Sequence, residues 1–375
     1  MNTRGYAFMV LVISLISGMV GGVIVTDVAE PEVRDHITNH FNYEITDYAH
    51  NSTYYRQAYQ NFMPSVAHIN VHKVSDGVRT SSTGTGFVYD SEEGTVVTNQ
   101  HVVEDGRDFE VKLQGEGWLE AEVVGEDRYS DLAVLELERV PDNLQELDVS
   151  DTNPDPGTVV VAMGSPLGLE GTITQGIVSG VNRTIRTEGR LIPDAVQTDA
   201  SIDPGNSGGP MIGDDGTVVG VNTAKRGENI GFAVSPALVN RIVPELVEEG
   251  EYSHPYLGVN TRDMVPRIAD YNNLDKAEGV IVTNVDSEGP SYNILQGSRA
   301  SFRDRTVPVG GDVILEVDGH TVDSEQALNS FIVRNKSPGE EVELKVLRGG
   351  RLRTFEVVLD ERPRGGSTVD ISTRS

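Results

Sequence analysis

Cysteine is absent from the chain. That excludes a disulfide framework, a thiolate metal site and a thiol nucleophile, and leaves packing alone to hold the fold. Positive charge is scarce as well: 30 Lys and Arg stand against 58 Asp and Glu, a formal charge of −28. A surface of that sign repels phosphates, which argues against a nucleic-acid partner. Dense carboxylate stays hydrated and is screened in concentrated salt, so the composition predicts adaptation to high salt and a haloarchaeal source. No His-Glu-x-x-His occurs, which excludes that metalloprotease motif, and neither a metal nor a cofactor is implied.

Long apolar runs are missing too, except for Tyr6–Val25, YAFMVLVISLISGMVGGVIV, twenty residues without a charge. At about 1.5 Å per residue such a helix spans roughly 30 Å, the thickness of a bilayer core. Arg4 precedes it and Asp27, Glu30 and Glu32 follow, so the positive-inside rule places the remainder outside the cell. Residues 1–26 are therefore expected as a membrane anchor or uncleaved signal, and 27–57 as a polar stalk or linker. The 375 residues leave room for two or three domains. From Ala58 short apolar runs alternate with Gly, Asp and Asn turns, a β texture. PALVNRIVPELVEEG, Pro236–Gly250, predicts a helix closing that block, with a boundary between Glu251 and His254. The expected domains are 58–250 and 255–360, with a disordered tail over 361–375.

What is present in excess is glycine and proline around one hydroxyl, in DPGNSGGP, Asp203–Pro210, centred on Ser207. Glycine costs backbone entropy and proline fixes φ, so the run specifies an unusual backbone. A serine hydroxyl is a weak nucleophile near neutral pH and needs a base beside it. Of the eight histidines, His101 ends the β-branched run TVVTNQHVV, and Asp131 opens the apolar run DLAVLEL. Each alone is as well explained as a strand-end or turn residue. The loop also fits Gly-x-Ser-x-Gly, the elbow of α/β-hydrolases, which requires a following helix and a downstream acid and histidine. Pro210 disfavours that helix, and only His254 and His320 lie downstream.

Together TGTGFVYD, VVTNQHVV, SDLAVLEL and DPGNSGGPMI resemble the HtrA/DegP-type serine proteases, a chymotrypsin-like family, in the chain order His, Asp, Ser. The resemblance implies a mainly β fold, a chymotrypsin-like double β-barrel followed by an α+β domain. His101 would take the proton of Ser207 and return it to the leaving amine, and Asp131 would orient the ring. The N–H groups of Gly205 and Ser207 would form the oxyanion hole. Ser201 would lie near the base of the primary specificity pocket; with no acid there, Lys or Arg before the scissile bond is not favoured. Asn222, Thr223 and Ala224 would pair with an extended substrate, and Gly231, Phe232 and Ala233 would form a second pocket wall. Asp203 departs from the family pattern, which has Asn, and is expected to face solvent.

HPYLGVN and GGDVILEVDGHTVDSEQALNSFIVRN resemble a PDZ domain. That implies a carboxylate-binding loop at Tyr256, Leu257, Gly258 and Val259, with the helix Ser324–Asn335 as the opposite wall for C-terminal peptides. The whole resemblance implies a membrane-anchored serine endopeptidase acting outside the cell on unfolded or damaged proteins. The alternative is a chaperone-like or scaffold protein without turnover. It also implies a homotrimer, for which Tyr54, Tyr55, Tyr59 and Phe62 are placed.

Overall fold

The computed structural model describes residues 47–363 except 76–77, 166–170, 188–189, 204, 228 and 301–305. The expected anchor, most of the stalk, and the tail beyond 363 lie outside the described residues. Among the described residues no helix is long and apolar enough to cross a membrane. The chain divides into two compact units, residues 1–57 and 58–375. The described part of the first is helical and opens α1 (Asp47–Phe62). Its sequence carries no Gly or Pro until Pro64, so the helix runs through the boundary expected at 58.

The first barrel uses β1 (Val66–Ser75), β2 (Val78–Asp90), β3 (Thr95–Thr98), β4 (Asp108–Lys112), β5 (Trp118–Asp127) and β6 (Leu132–Leu137). They close in the order β1-β2-β3-β6-β5-β4. Alternation decides which face turns inward. Phe109, Val111, Leu119 and Ala121 are buried, while Glu120 and Glu122 stay outside. The inward side chains meet Ile69, Val71, Val96 and Leu135 in one core. A one-turn helix, α2 (Gln100–Val103), follows β3.

The second barrel repeats the plan with β7 (Val159–Gly164), β8 (Thr172–Thr187), β9 (Arg190–Thr198), β10 (Pro210–Gly213), β11 (Val218–Lys225) and β12 (Gly231–Val234). It closes in the order β10-β11-β12-β9-β8-β7. Next comes α3 (Pro236–Glu249). Ser235 caps it by accepting from Leu238 N at 3.3 Å, and Gly250 ends it at φ 79°, donating to Leu246 O at 3.1 Å.

The final block holds β13 (Pro255–Tyr256), β14 (Val259–Asp263), α4 (Pro266–Tyr271), β15 (Val280–Val285), β16 (Arg299–Ala300) and β17 (Pro308–Val309). It continues with β18 (Val313–Val317), β19 (His320–Thr321), α5 (Glu325–Asn335), β20 (Glu341–Arg348), β21 (Arg351–Val358) and β22 (Asp360–Glu361). The main sheet runs β14-β15-β18-β20-β21, with β19 on β18. Ser324 caps α5 by accepting from Ala327 N at 3.2 Å. One expectation is corrected here, the disordered tail from 361. Glu361 pairs with Pro255 in the ladder between β13 and β22, and Arg362 N donates to His254 O at 2.9 Å. Backbone pairing back to the start of the domain holds the chain past the expected limit.

α5 packs against β8, β9 and α3 of the second barrel. Arg241 of α3 donates to Arg334 O at 3.2 Å, Lys336 O at 2.5 Å and Ser337 Oγ at 2.7 Å, tying the C-terminal end of α5 to the barrel domain. Arg334 in turn sits 3.5 Å from the fully buried carboxylate of Asp194, which burial pushes up in pKa. Hydrogen bonds from a charged group contribute about 1.5–3 kcal/mol each. Arg241→Met is therefore expected to lower the thermal midpoint and to speed cleavage of the 251–254 segment in limited proteolysis. An unchanged midpoint and cleavage rate would mean the clamp contributes nothing.

Candidate active site

β3 delivers the chain to Asn99, and α2 then carries His101, so the imidazole sits on a helical turn just beyond the strand rather than on its last residue. Its Nδ1 lies 2.8 Å from Asp131 Oδ2 and 3.0 Å from Oδ1, and His101 N donates to Oδ1 at 3.1 Å. The Asp131 carbonyl accepts from Asn99 Nδ2 at 3.0 Å and Gln100 N at 3.2 Å. Asp131 is held at φ 60°, a left-handed conformation uncommon for a residue with a side chain, and these bonds fix it there. The acid's side chain is 1% exposed and the ring 27%, so substrate can reach the imidazole while the carboxylate stays dry.

The second barrel contributes Thr223. Its Oγ1 donates to Asp131 Oδ2 at 2.5 Å, while its carbonyl faces Ser207 Oγ at 3.5 Å. One residue thus touches both the acid and the hydroxyl. Among the described residues no hydrogen bond joins Ser207 to His101. Nor does the amide of Gly205 or Ser207 donate to a described residue; Gly205 itself sits at φ 117°.

The glycines of the loop serve an approach between barrels. A Cβ on Gly208 would fall 2.1 Å from Thr85 O and 2.3 Å from Thr98 Oγ1; one on Gly209 would meet Met163 O at 2.2 Å. Thr85 closes the contact: its N donates to Ser207 O at 3.0 Å and its Oγ1 to Gly205 O at 2.6 Å. The stretch TGTGF therefore holds the serine loop from the opposite barrel. β10 follows Ser207 where the hydrolase elbow requires a helix, which removes that alternative.

The expected substrate residues divide. Ser201 is exposed and donates to Asp203 Oδ2 at 2.7 Å. Asp203 faces solvent but is also ion-paired with Lys225 of β11, whose bond, with that of Ser201, lowers its pKa. The backbone of Asn222 is used by the serine loop, its O accepting from Gly208 N at 2.7 Å and its N donating to Gly209 O at 2.9 Å. Ala224 is paired with Phe232 in the sheet, and Ala233 lies in the barrel core. A Cβ on Gly231 would meet Ile202 Cγ1 at 2.5 Å, so that strand is closely backed. In the last domain Tyr256, Leu257, Gly258 and Val259 line a groove opposite Leu328 and Ile332 of α5. The Tyr256 hydroxyl donates to Asp286 Oδ2 at 2.8 Å; burial and that carboxylate push its pKa to about 12.

Sequence reasoning missed the side-chain roles of Thr85 and Thr223, and a buried pair behind Asp131. His254 Nε2 lies 2.8 Å from Asp127 Oδ2, and both side chains are buried. Asp127 also accepts from Tyr129 N at 3.2 Å and Ser130 N at 2.9 Å, shaping the turn into Asp131. An Asp capping amides two and three residues on is a legible turn signal; its pairing with His254 across the chain is not. Burial pushes Asp127 up in pKa, but the bonds from His254 and Ser130 outweigh it and hold the carboxyl below its usual range. A lowered folded pKa contributes stability that is complete above the unfolded value of about 3.9 and is lost as pH falls through the folded value. Asp127→Asn is expected to flatten that acid limb in denaturant titrations at stepped pH; an identical slope in both proteins would contradict this.

Comparison with known proteins matches residues 84–221 to the trypsin-like peptidase domain and 255–359 to the PDZ domain. The chain is 38% identical over 300 residues to "Probable periplasmic serine endoprotease DegP-like" of Halomonas elongata, covering 77% of this chain and 60% of that protein. It is 34% identical to "Serine protease Do-like HtrA" of Bacillus subtilis, covering 75% of this chain and 64% of that one. The chain thus spans under two thirds of the length of these two relatives. "Protease Do-like 1, chloroplastic" of Arabidopsis thaliana is 33% identical, covering 81% of this chain and 71% of that one. Among solved structures, the HtrA-type protease AlgW with tripeptide superposes at a TM-score of 0.67 with 29% identity, covering 83% of this chain and 98% of that one. The serine endoprotease from Yersinia pestis gives 0.57 at 29% identity, covering 82% and 98%. With two closed barrels, a PDZ domain and relatives of this likeness, the chain belongs to the HtrA/DegP-type family of serine proteases.

Proposed function

We propose that this chain is a serine endopeptidase working through His101, Asp131 and Ser207, with unfolded or damaged proteins as substrates. The observation that carries the reading is the Asp131 carboxylate, bonded at once by His101 of one barrel and Thr223 of the other, with Thr223 also against Ser207. In the reaction the Ser207 hydroxyl turns from Thr223 O toward His101 Nε2 and gives up its proton as Oγ attacks the substrate carbonyl carbon. The carbonyl oxygen becomes anionic and takes the amides of Gly205 and Ser207. The imidazolium, held by Asp131, protonates the leaving amine, and water repeats the sequence to release the acyl group. Asp203, the acid near Ser201, is neutralised by Lys225, so a basic residue before the scissile bond is not favoured.

The loop Tyr256–Val259 and α5 would take C-terminal peptides as an added strand. The uncharged run Tyr6–Val25 would tether a trimer with its catalytic domains outside the cell, and the charge of −28 fits a high-salt, haloarchaeal setting.

Ser207→Ala is expected to slow degradation of unfolded casein by at least about 10⁴-fold. Equal degradation by both proteins would refute the protease reading, whereas protection of casein from aggregation without cleavage in the wild type would favour the chaperone reading. Removing molar salt is expected to lower the thermal midpoint, because like charges are then unscreened. A midpoint independent of salt would argue against the high-salt setting.

A further inference from the structure

Arg362 follows β22, where disordered chain was expected. Its guanidinium carbon lies 4.3 Å from the ring centroid of Tyr129 and 5.3 Å from that of Tyr256. Tyr129 belongs to the turn that presents Asp131 in the protease domain, while Tyr256 opens the expected carboxylate-binding loop. Both residues and Arg362 line the groove that Leu257, Val259, Leu328 and Ile332 enclose. Arg362 Nε is buried and has no hydrogen-bond partner among the described residues.

A buried donor without an acceptor costs about 1–3 kcal/mol, and a guanidinium presents its N–H groups in a fork that matches a carboxylate. The nearby acids are otherwise engaged: Asp286 accepts from Tyr256 and from Glu288 N, and Asp127 is paired with His254. Two acids, Asp263 and Glu325, stand beyond the lining residues at the other end of the groove. Asp263 continues the face of β14 that carries Val259 and Thr261, and Glu325 lies one turn before Leu328 on α5. Asp263 Oδ1 accepts from Glu325 N at 2.7 Å, and Arg262, whose charge also reaches Glu325, donates to Thr306 O at 2.8 Å. Burial, with Asp263 beside it, pushes the Glu325 carboxyl to about 6.

We propose that Arg362 and Tyr129 complete the peptide groove: the guanidinium takes the terminal carboxylate of an extended peptide, and Tyr129 supplies a wall from the protease domain. The inference rests on the peptide-binding reading of the Tyr256–Val259 loop and makes that site a joint one, incomplete without the barrel domain. Asp263 and Glu325 repel an anion, which directs the carboxylate to the Arg362 end. The apolar lining selects an apolar last residue.

The test uses the full chain carrying Ser207→Ala and a fluorescein-labelled pentapeptide pool ending in Val, Leu or Ile, as free acids and as amides, read by anisotropy. The acids are expected to bind at least about tenfold tighter than the amides. Arg362→Gln is expected to erase about tenfold of that preference, with amide binding moved by less than about twofold, while Arg362→Lys keeps part of it through its charge. Tyr129→Ala is expected to weaken both forms. An acid-to-amide ratio unchanged by Arg362→Gln overturns the inference and leaves the groove's reading standing. Binding of neither form by the parent protein overturns both.

Discussion

A buried carboxylate governs this molecule. Desolvating Asp131 is costly unless its oxygens are fully bonded, and the bonds come from two barrels that each fold around a separate core. His101 approaches from α2 and Thr223 from β11, so satisfying one charge aligns the two halves. The serine loop then follows from geometry. Gly208 and Gly209 allow it to press on Thr85 and Thr98, and any larger residue would hold the barrels apart. The order of these side chains is a by-product of how a charge is kept out of water.

The same economy extends behind the site. Asp127 caps the turn that sets Asp131 at its positive φ, and its own charge is met by His254, which lies on the connection to the PDZ domain. Tyr129, between the two acids, forms an edge-on ring contact with His254 at 4.6 Å and stacks with Arg362. The PDZ domain is therefore fastened at two places. One is this aromatic and ionic cluster under Asp131; the other is the Arg241 clamp on α5. The groove between Tyr256–Val259 and α5 lies against the first of these, and Tyr129 of that cluster is two residues from Asp131.

Local pattern made much of this legible. The β-branched alternation, the Pro and Gly bounds of α3 and the Ser324 cap are nearest-neighbour effects that a sequence carries openly. Resemblance supplied the roles of His101, Asp131 and Ser207, and their placement is compatible with it, although the hydroxyl faces Thr223 O rather than the ring. What stayed hidden depends on contacts between distant residues. Thr223 read as a strand position offering its backbone, yet its hydroxyl reaches Asp131. Nothing local in TGTGF marks Thr85 as the residue that bonds the serine loop. Glu361 and Arg362 read as polar tail because nothing local shows that Pro255 will pair with them. The resemblance assigns Asn222, Ala224 and Ala233 to substrate; in the fold the backbone of Asn222 bonds the serine loop, Ala224 pairs with Phe232 and Ala233 lies in the barrel core.

The central claim is that Asp131, bonded from both barrels, makes Ser207 reactive. The most direct measurement is the rate of modification by a fluorophosphonate in molar salt, mapped by mass spectrometry, in the wild type and in Thr223→Val. The account predicts an adduct on Ser207 alone, formed about tenfold more slowly when the Thr223 hydroxyl is removed. An adduct elsewhere, no adduct, or equal rates in the two proteins would contradict it.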